Sequence, residues 1–400
     1  MTRFIHNIIA ASAALLLMGA GASCTMMQDK TDDCPTGLYV RFVYDYNTQR
    51  ADMFRDHVGH VKLYVYDETG RKVAEKSVSN GDAYAPLRDY GYSVHFDPSE
   101  LAPGRYRLQA IGMQKDWDDA LATDGAKYRL EEGDSHTDLK IHLDHAAEAL
   151  AGTNYHPVEH RSVALDTLWH TLKVMSYEPR DGRATPSLHA TKAPYSVYPL
   201  EEQYVTVASG YATYATVSLV RDTKHLNITL RQIDEPDKIT HNDFDVDIIE
   251  PNGTIGHDNG VAAGDSLLYT PYASWTSRFD DGGVTVEPQG SRADETAVQR
   301  TAHYNLMFNR LVIDSNDPGK GALLRIRKRA DGKTVALINL TQFLSEGRIA
   351  YDIRNYGDQE YLDREYDYHL NLFLQGNKWK YCDIVVNVLG WARRKENIEL

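Results

Sequence analysis

Asp33-Cys34-Pro35-Thr36-Gly37-Leu38-Tyr39-Val40-Arg41-Phe42-Val43-Tyr44-Asp45-Tyr46 is the stretch on which the fold turns. From Leu38 onward every second residue is apolar or aromatic (Leu38, Val40, Phe42, Tyr44, Tyr46), while Tyr39, Arg41, Val43 and Asp45 take the other face. Side chains of an extended chain point alternately to opposite faces, so this period of two marks a strand half-buried in an antiparallel sheet. The pattern recurs downstream. Val61, Leu63 and Val65 precede the turn Asp67-Glu68-Thr69-Gly70, and residues 71–78 return as a second strand. Leu101-Ala102-Pro103-Gly104 reads as a reversal, because proline fixes φ and glycine tolerates a left-handed turn; Tyr106, Leu108 and Ala110 then alternate with polar neighbours.

Upstream of the deciding stretch lies an export signal. Arg3 supplies a positive start, and residues 8–22 form an apolar core of about fifteen residues, too short for the roughly twenty that span a bilayer. Two cleavage readings compete. Ala22-Ser23 before Cys24 has the small residues of a bacterial lipobox, with Gly21 where leucine is usual; Ala20-Gly21-Ala22 is itself an ordinary secretory cleavage site. The lipoprotein reading is the stronger, since a cysteine directly after a small pair at the end of an apolar signal is seldom incidental. Cys24 is then the lipid-attachment residue and residues 24–36 a lipidated tether.

The formal charge is -14, and -15 once residues 1–23 with Arg3 are removed; basic stretches, such as residues 325–329, are short. Nucleic acid is therefore not an expected partner. Three cysteines are present, at 24, 34 and 382, and with Cys24 acylated a bridge between Cys34 and Cys382 is arithmetically open in an oxidising compartment, although spacing alone does not show it.

Alternating strands continue to the end of the chain. Residues 138–142 still read as a strand; residues 144–152 are alanine-rich and look helical, and Asn154-Tyr155-His156-Pro157 stops any continuation, so the linker is placed at residues 145–155. Strands follow at residues 204–208, 217–221, 227–233 and 244–248, and Ala330-Asp331-Gly332-Lys333 gives the sharpest hairpin signal, between residues 323–328 and 334–340. A last pair, 369–374 and 381–389, flanks Gln375-Gly376-Asn377, and outside the linker only residues 341–346 look helical. The expectation is all-β: a β-sandwich domain at 37–144 and a second at 156–400, each large enough for its own core.

The motif Asp-Cys-Pro-x-Gly-x-x-Val-x-Phe-x-Tyr at residues 33–44, following a lipid-type signal, resembles the start of the FimB-type anchor subunits of type V fimbriae, lipoproteins of Bacteroidia. His60-Val61-Lys62-Leu63-Tyr64-Val65-Tyr66-Asp67, Leu101-Ala102-Pro103-Gly104-Arg105-Tyr106, residues 308–313 and Ile384-Val385-Val386-Asn387-Val388-Leu389-Gly390-Trp391 resemble the family's successive strands, in order, over nearly the whole mature chain. The departures are Gly21 in the lipobox and the apolar Val388-Leu389 before Gly390-Trp391. The resemblance implies two transthyretin-like sandwiches and a lipid-anchored place at the outer membrane. It also implies a role at the base of a fimbrium, anchoring it and limiting its length, with shaft subunits as partners joined by strand addition. By that analogy Ile384, Val386, Val388 and Trp391 are the candidate shaft-subunit contact, the alternative being that residues 384–389 close the protein's own second sandwich.

Chemistry-bearing candidates are few. Asn242-Asp243-Phe244-Asp245-Val246-Asp247 has oxygen ligands at alternate positions, but Ile248 and Thr254 stand where a calcium loop needs glycine and a bidentate glutamate, so a solvated strand face is the better reading. His136, His142 and His145 form one loose group and His156, His160 and His170 another, without a zinc-site spacing. No nucleophile elbow, phosphate loop or dinucleotide fingerprint is present, so neither catalysis nor a metal or cofactor is expected. The alternative function is a carbohydrate-binding surface lipoprotein, with Tyr269, Tyr272 and Trp275 as sugar-stacking candidates.

Overall fold

The computed structural model describes residues 35–81, 84–122, 125, 127–159, 163–177, 204–280, 283–287, 299–314, 316–317, 319–349, 355–376, 378–388 and 391–397. The deciding stretch folds as β1 (Gly37–Val43), with Leu38, Val40 and Phe42 buried and Tyr39, Arg41 and Val43 half-buried. The strand stops before Tyr44 because the Tyr44 N–H donates to Asp52 Oδ1 at 2.9 Å and its carbonyl accepts from Met53, so neither group remains for a ladder. Tyr44 and Tyr46 are buried all the same.

Ten further strands make up the first half: β2 (His60–Tyr66), β3 (Lys72–Ser79), β4 (Val94–Phe96), β5 (Gly104–Met113) and β6 (Tyr128–Glu131). Then come β7 (Lys140–Leu143), β8 (Tyr155–Pro157), β9 (Leu168–Tyr177), β10 (Tyr204–Val207) and β11 (Ala212–Arg221). Eight of the eleven form one sheet in the order β3-β2-β5-β9-β11-β1-β4, with β10 on the opening residues of β5. The sheet curls until its edges meet, Lys76 Nζ of β3 donating to the His95 carbonyl of β4 at 2.6 Å. Its interior is an apolar core of Leu38, Val40, Leu63, Val65, Leu108, Ala110, Val217 and Leu219 among others.

The second half contributes β12 (Lys224–Gln232), β13 (Phe244–Glu250), β14 (Thr254–Gly256), β15 (Ser266–Tyr269), β16 (Ala273–Asp280) and β17 (Gly283–Glu287). It continues with β18 (Gln299–Phe308), β19 (Leu323–Lys328), β20 (Thr334–Asn339), β21 (Asp367–Gln375), β22 (Lys378–Val388) and β23 (Trp391–Asn397). A seven-stranded sheet, β17-β16-β18-β12-β21-β22-β23, and a five-stranded one, β20-β19-β13-β15-β8, share a core that includes Leu226, Ile228, Leu306, Leu370 and Leu372 from the first and Val246, Ile248, Leu324 and Ile326 from the second. The fold is all-β, two sandwiches in succession. The 330–333 turn joins β19 to β20 with Gly332 at φ +69°, as its sequence requires.

The boundary between the sandwiches is not at 145–155. Strands β9 to β11, beyond that linker, belong to the first sheet, where β1 pairs parallel with β11 from Gly37↔Ala212 to Val43↔Ser218. The chain leaves the first sheet only between Arg221 and Lys224. In return β14 pairs with β7 (Ile255↔Ile141), completing a small β14-β7-β6 sheet. The linker forms turns rather than a helix: the Leu150 N–H and carbonyl pair with Tyr155 and Thr153 instead of a helical ladder. Helices do occur at α1 (Phe54–His57), α2 (Trp117–Ala122), α3 (Leu340–Ser345) and α4 (Asp358–Arg364). Of these only α3, capped by the Asn339 side chain on the Gln342 N–H, was legible.

The joint between the halves is polar and buried. Arg310 clasps Asp363 with Nε to Oδ1 at 2.7 Å and Nη2 to Oδ2 at 2.9 Å, both residues almost fully buried. Lys224 Nζ donates to the Asp363 and Glu365 carbonyls at 2.9 and 3.0 Å, and burial lowers its pKa to about 8. Thr48 donates to Glu365, and the Arg364 guanidinium lies 3.9 Å from the Tyr46 ring centroid, so α4 grips the segment that leaves β1.

Candidate functional site

Cys24 and Cys34 lie outside the described residues. Cys382 is buried on β22, facing Leu372 of β21 in register and contributing to the core of the second sandwich. The candidate contact residues Ile384, Val386, Val388 and Trp391 fall on the last two strands. Strand β22 follows β21 after a tight turn in which Gly376 adopts φ +61°. Ile384 has register partners on both sides, Leu370 and Lys395, so its backbone sits inside the sheet. Val386 and Val388 pair with Arg393 and Trp391. The apolar run is thus an inner strand of the protein's own second sandwich.

Outside it runs β23, Trp391-Ala392-Arg393-Arg394-Lys395-Glu396-Asn397. Residues 393–396, a charged run in the sequence, form part of an edge strand, paired among the described residues with β22 alone. An edge strand offers a row of main-chain donors and acceptors to a further strand, while its charges discourage indiscriminate partners. At the other edge of the same sheet, β17 exposes Val284 and Val286, beside Phe279 of β16.

The remaining candidates are absorbed into structure. Asp245 and Asp247 on β13 stand opposite Arg327 and Arg325 on β19, with Arg325 Nη2 2.8 Å from Asp247 Oδ2 and Arg329 Nε 2.7 Å from Asp245 Oδ1. Asp243 caps the Thr240 backbone N–H. The acidic run and the basic run are one cross-strand ladder. Tyr269 is buried with its hydroxyl donating to Asn252, Tyr272 is hydrogen-bonded to His225, and Trp275 stacks on His303 at 5.0 Å between centroids. Burial, with a smaller contribution from Arg231, lowers the His303 pKa to about 4, so this stack is neutral near pH 7. Of the three rings Tyr269 is withdrawn into the core, while Tyr272 and Trp275 are half-buried and each engaged with a histidine. His142 sits between Glu131 and Thr254, His136 meets His257 edge-on, His170 is buried 3.4 Å from Asp222, and His160 lies outside the described residues. Among the described residues of the two groups, His145 and His156 come together, with ring centroids 5.7 Å apart.

Glu250, at the end of β13, has its pKa raised to about 7 by burial, and this gives a pH prediction. An exposed glutamate titrates near 4.5, so between about pH 4.5 and 7 the folded state holds a proton that the unfolded chain releases, and stability falls as pH rises through that window. Glu250→Gln should raise the melting temperature at pH 8, leave it nearly unchanged at pH 4.5, and flatten the slope between. An identical pH slope in the variant would show that this carboxyl is well solvated.

Fold and site together define an all-β, two-sandwich protein with open sheet edges, a class with solved members. A candidate adhesin from Bacteroides thetaiotaomicron is 25% identical, with a TM-score of 0.62, covering 90% of this chain and 98% of that one. Candidate polysaccharide binding proteins from the same organism give 24% and 0.61 over the same shares, and a candidate adhesin from Bacteroides ovatus 20% and 0.58 over 91% and 96%. A search of curated proteins finds no match. The chain belongs to the family of fimbrillin-A associated anchor proteins Mfa1 and Mfa2, whose model matches residues 31–185 and 192–397. It is a fimbrial accessory subunit, as the 33–44 motif implied.

Proposed function

We propose that this subunit holds a fimbrium at the outer membrane: a lipid on Cys24 secures the near end, and the open edge of β23 receives an extended segment of the first shaft subunit. Its role is structural rather than catalytic. The observation that carries the reading is the edge itself, a seven-residue strand at the chain's far end whose outer main-chain groups face no described strand. Strand addition takes its affinity from such groups and its register from alternate side chains. The shaft contact is therefore assigned to β23 rather than to Ile384, Val386 and Val388.

The test is removal of residues 391–400. Strand β22 keeps its partner β21, so the shortened protein should fold, remain membrane-bound and release long fibres into the medium. Retention of fibres at the cell surface would exclude β23 as the joint and direct attention to β17. Failure to fold would mean that β23 is needed to close its own sandwich.

A further inference from the structure

We propose that His145, His156 and Asp265 form a binding site for a divalent late transition-metal ion of the zinc type. The three come together through pairing that no local spacing displays. His145 stands beside the isolated bridge to Val158, His156 lies on β8, and Asp265 precedes Ser266 of β15, which pairs in parallel with Tyr155. One donor atom from each residue lies within 4.8 Å of the other two.

The hydrogen bonds of the two rings determine what the site can take. His145 Nδ1 lies 3.0 Å from the Leu143 carbonyl, and His156 Nδ1 lies 3.0 Å from the Ala146 carbonyl. A carbonyl only accepts, so each Nδ1 carries the ring proton and, in the neutral ring, each Nε2 presents a lone pair. Those two Nε2 atoms face the same carboxylate, His145 at 3.6 Å from Oδ2 and His156 at 4.0 Å from Oδ1. Lone pairs aimed at carboxylate oxygens repel unless something positive lies between them. A shared cation satisfies all three groups at once, and main-chain carbonyls behind the imidazoles are the outer partners that metal-ligating histidines use.

Distances agree with this. Two donors about 2.1 Å from a tetrahedral ion stand about 3.4 Å apart, so donors that lie within 4.8 Å of one another would move inward by up to about 1.4 Å to hold it. Two imidazoles and one carboxylate suit zinc and its neighbours rather than calcium or magnesium, which favour oxygen donors throughout. The Asp265 side chain is 61% exposed, against 29% for His145 and 17% for His156, so an ion can enter from solvent and keep a water or a partner's group in its fourth position. Bound there, it would clamp the edge strand β8 and residues 145–158 to β15. The hydrogen-bonded rings hold their places without it, so folding does not depend on the ion.

The test uses the full chain without an affinity tag, stripped with chelator and titrated with zinc chloride in a calorimeter. One equivalent should bind with micromolar or tighter affinity, raise the melting temperature by a few degrees, and slow amide exchange in residues 145–158; calcium chloride should do none of these. The His145→Ala/His156→Ala double variant should abolish binding and Asp265→Asn should weaken it about tenfold or more, on the scale of losses at metal-site partners. His142→Ala, in the Glu131 and Thr254 contact, should leave it unchanged. No uptake at millimolar zinc, or affinity undiminished in the double variant, overturns the proposal. If the double variant fails to fold, Asp265→Asn decides: full affinity there overturns it equally.

Discussion

Replacing Cys24 by alanine is expected to move the protein from the membrane fraction to the soluble fraction almost completely. Each buried methylene contributes about 0.8 kcal/mol, one acyl chain gives only marginal, reversible binding, and two or more are needed for a stable hold. The described residues offer no alternative of the helical kind, since none of their helices is long and apolar enough to cross a membrane. With the acceptor thiol gone, the polar tether has nothing to insert. Fibres assembled on such a variant should be shed together with their base, unlike those released by loss of residues 391–400, which leave the base behind. Unchanged membrane retention, or a mature chain that mass spectrometry shows to begin at Ser23, would end the lipid assignment and favour ordinary secretion.

The second large effect is expected at the joint. Asp363→Ala should destabilise the protein by about 3–5 kcal/mol, because it strands the buried Arg310 guanidinium without the carboxylate that compensates it. For a chain of this size that corresponds to a fall in melting temperature of about 4–6 °C. The loss should exceed that of any surface pair, such as Arg105 with Glu68, where exposed ions contribute about 0–1 kcal/mol. Replacing both partners with apolar residues of similar volume, Arg310→Met with Asp363→Leu, should recover much of the loss, because neither charge is then left buried. A single variant that melts within a degree or two of the parent would show that water reaches the clasp.

The joint also shows where sequence reading stops. Arg310 and Asp363 are unremarkable in the chain: one follows β18, the other lies in the last turn of α4, and nothing in their spacing announces a buried pair. Their contact exists because α4 is pressed between the segment leaving β1 and the start of β12. The candidate site tells a similar story. That residues 384–388 form a strand, and that they could close the protein's own sandwich, was legible from their residues; that another strand lies outside them was not, because the charged run after them lacks the apolar alternation that identifies half-buried strands. The aspartates at 245 and 247 and the arginines at 325 and 327 were each seen, but as separate charge runs, since only the β13–β19 register makes them opposite numbers.

What the sequence determined by itself is what local physics encodes. The period-two alternation from Leu38, the hairpin glycine at 332, the all-β class and the family likeness carried by residues 33–44 all rest on side-chain direction and φ preference, which depend on a residue and its near neighbours. What only the tertiary structure decided is which strands are partners. The parallel pairing of β1 with β11 moved the division between the sandwiches to residues 222–223, and β14 crossed back to β7. Parallel neighbours need a long crossover, and their hydrogen bonds join main-chain groups that every residue carries, so no local pattern names the partner. For the same reason His145, His156 and Asp265 became neighbours only when β8 was laid beside β15.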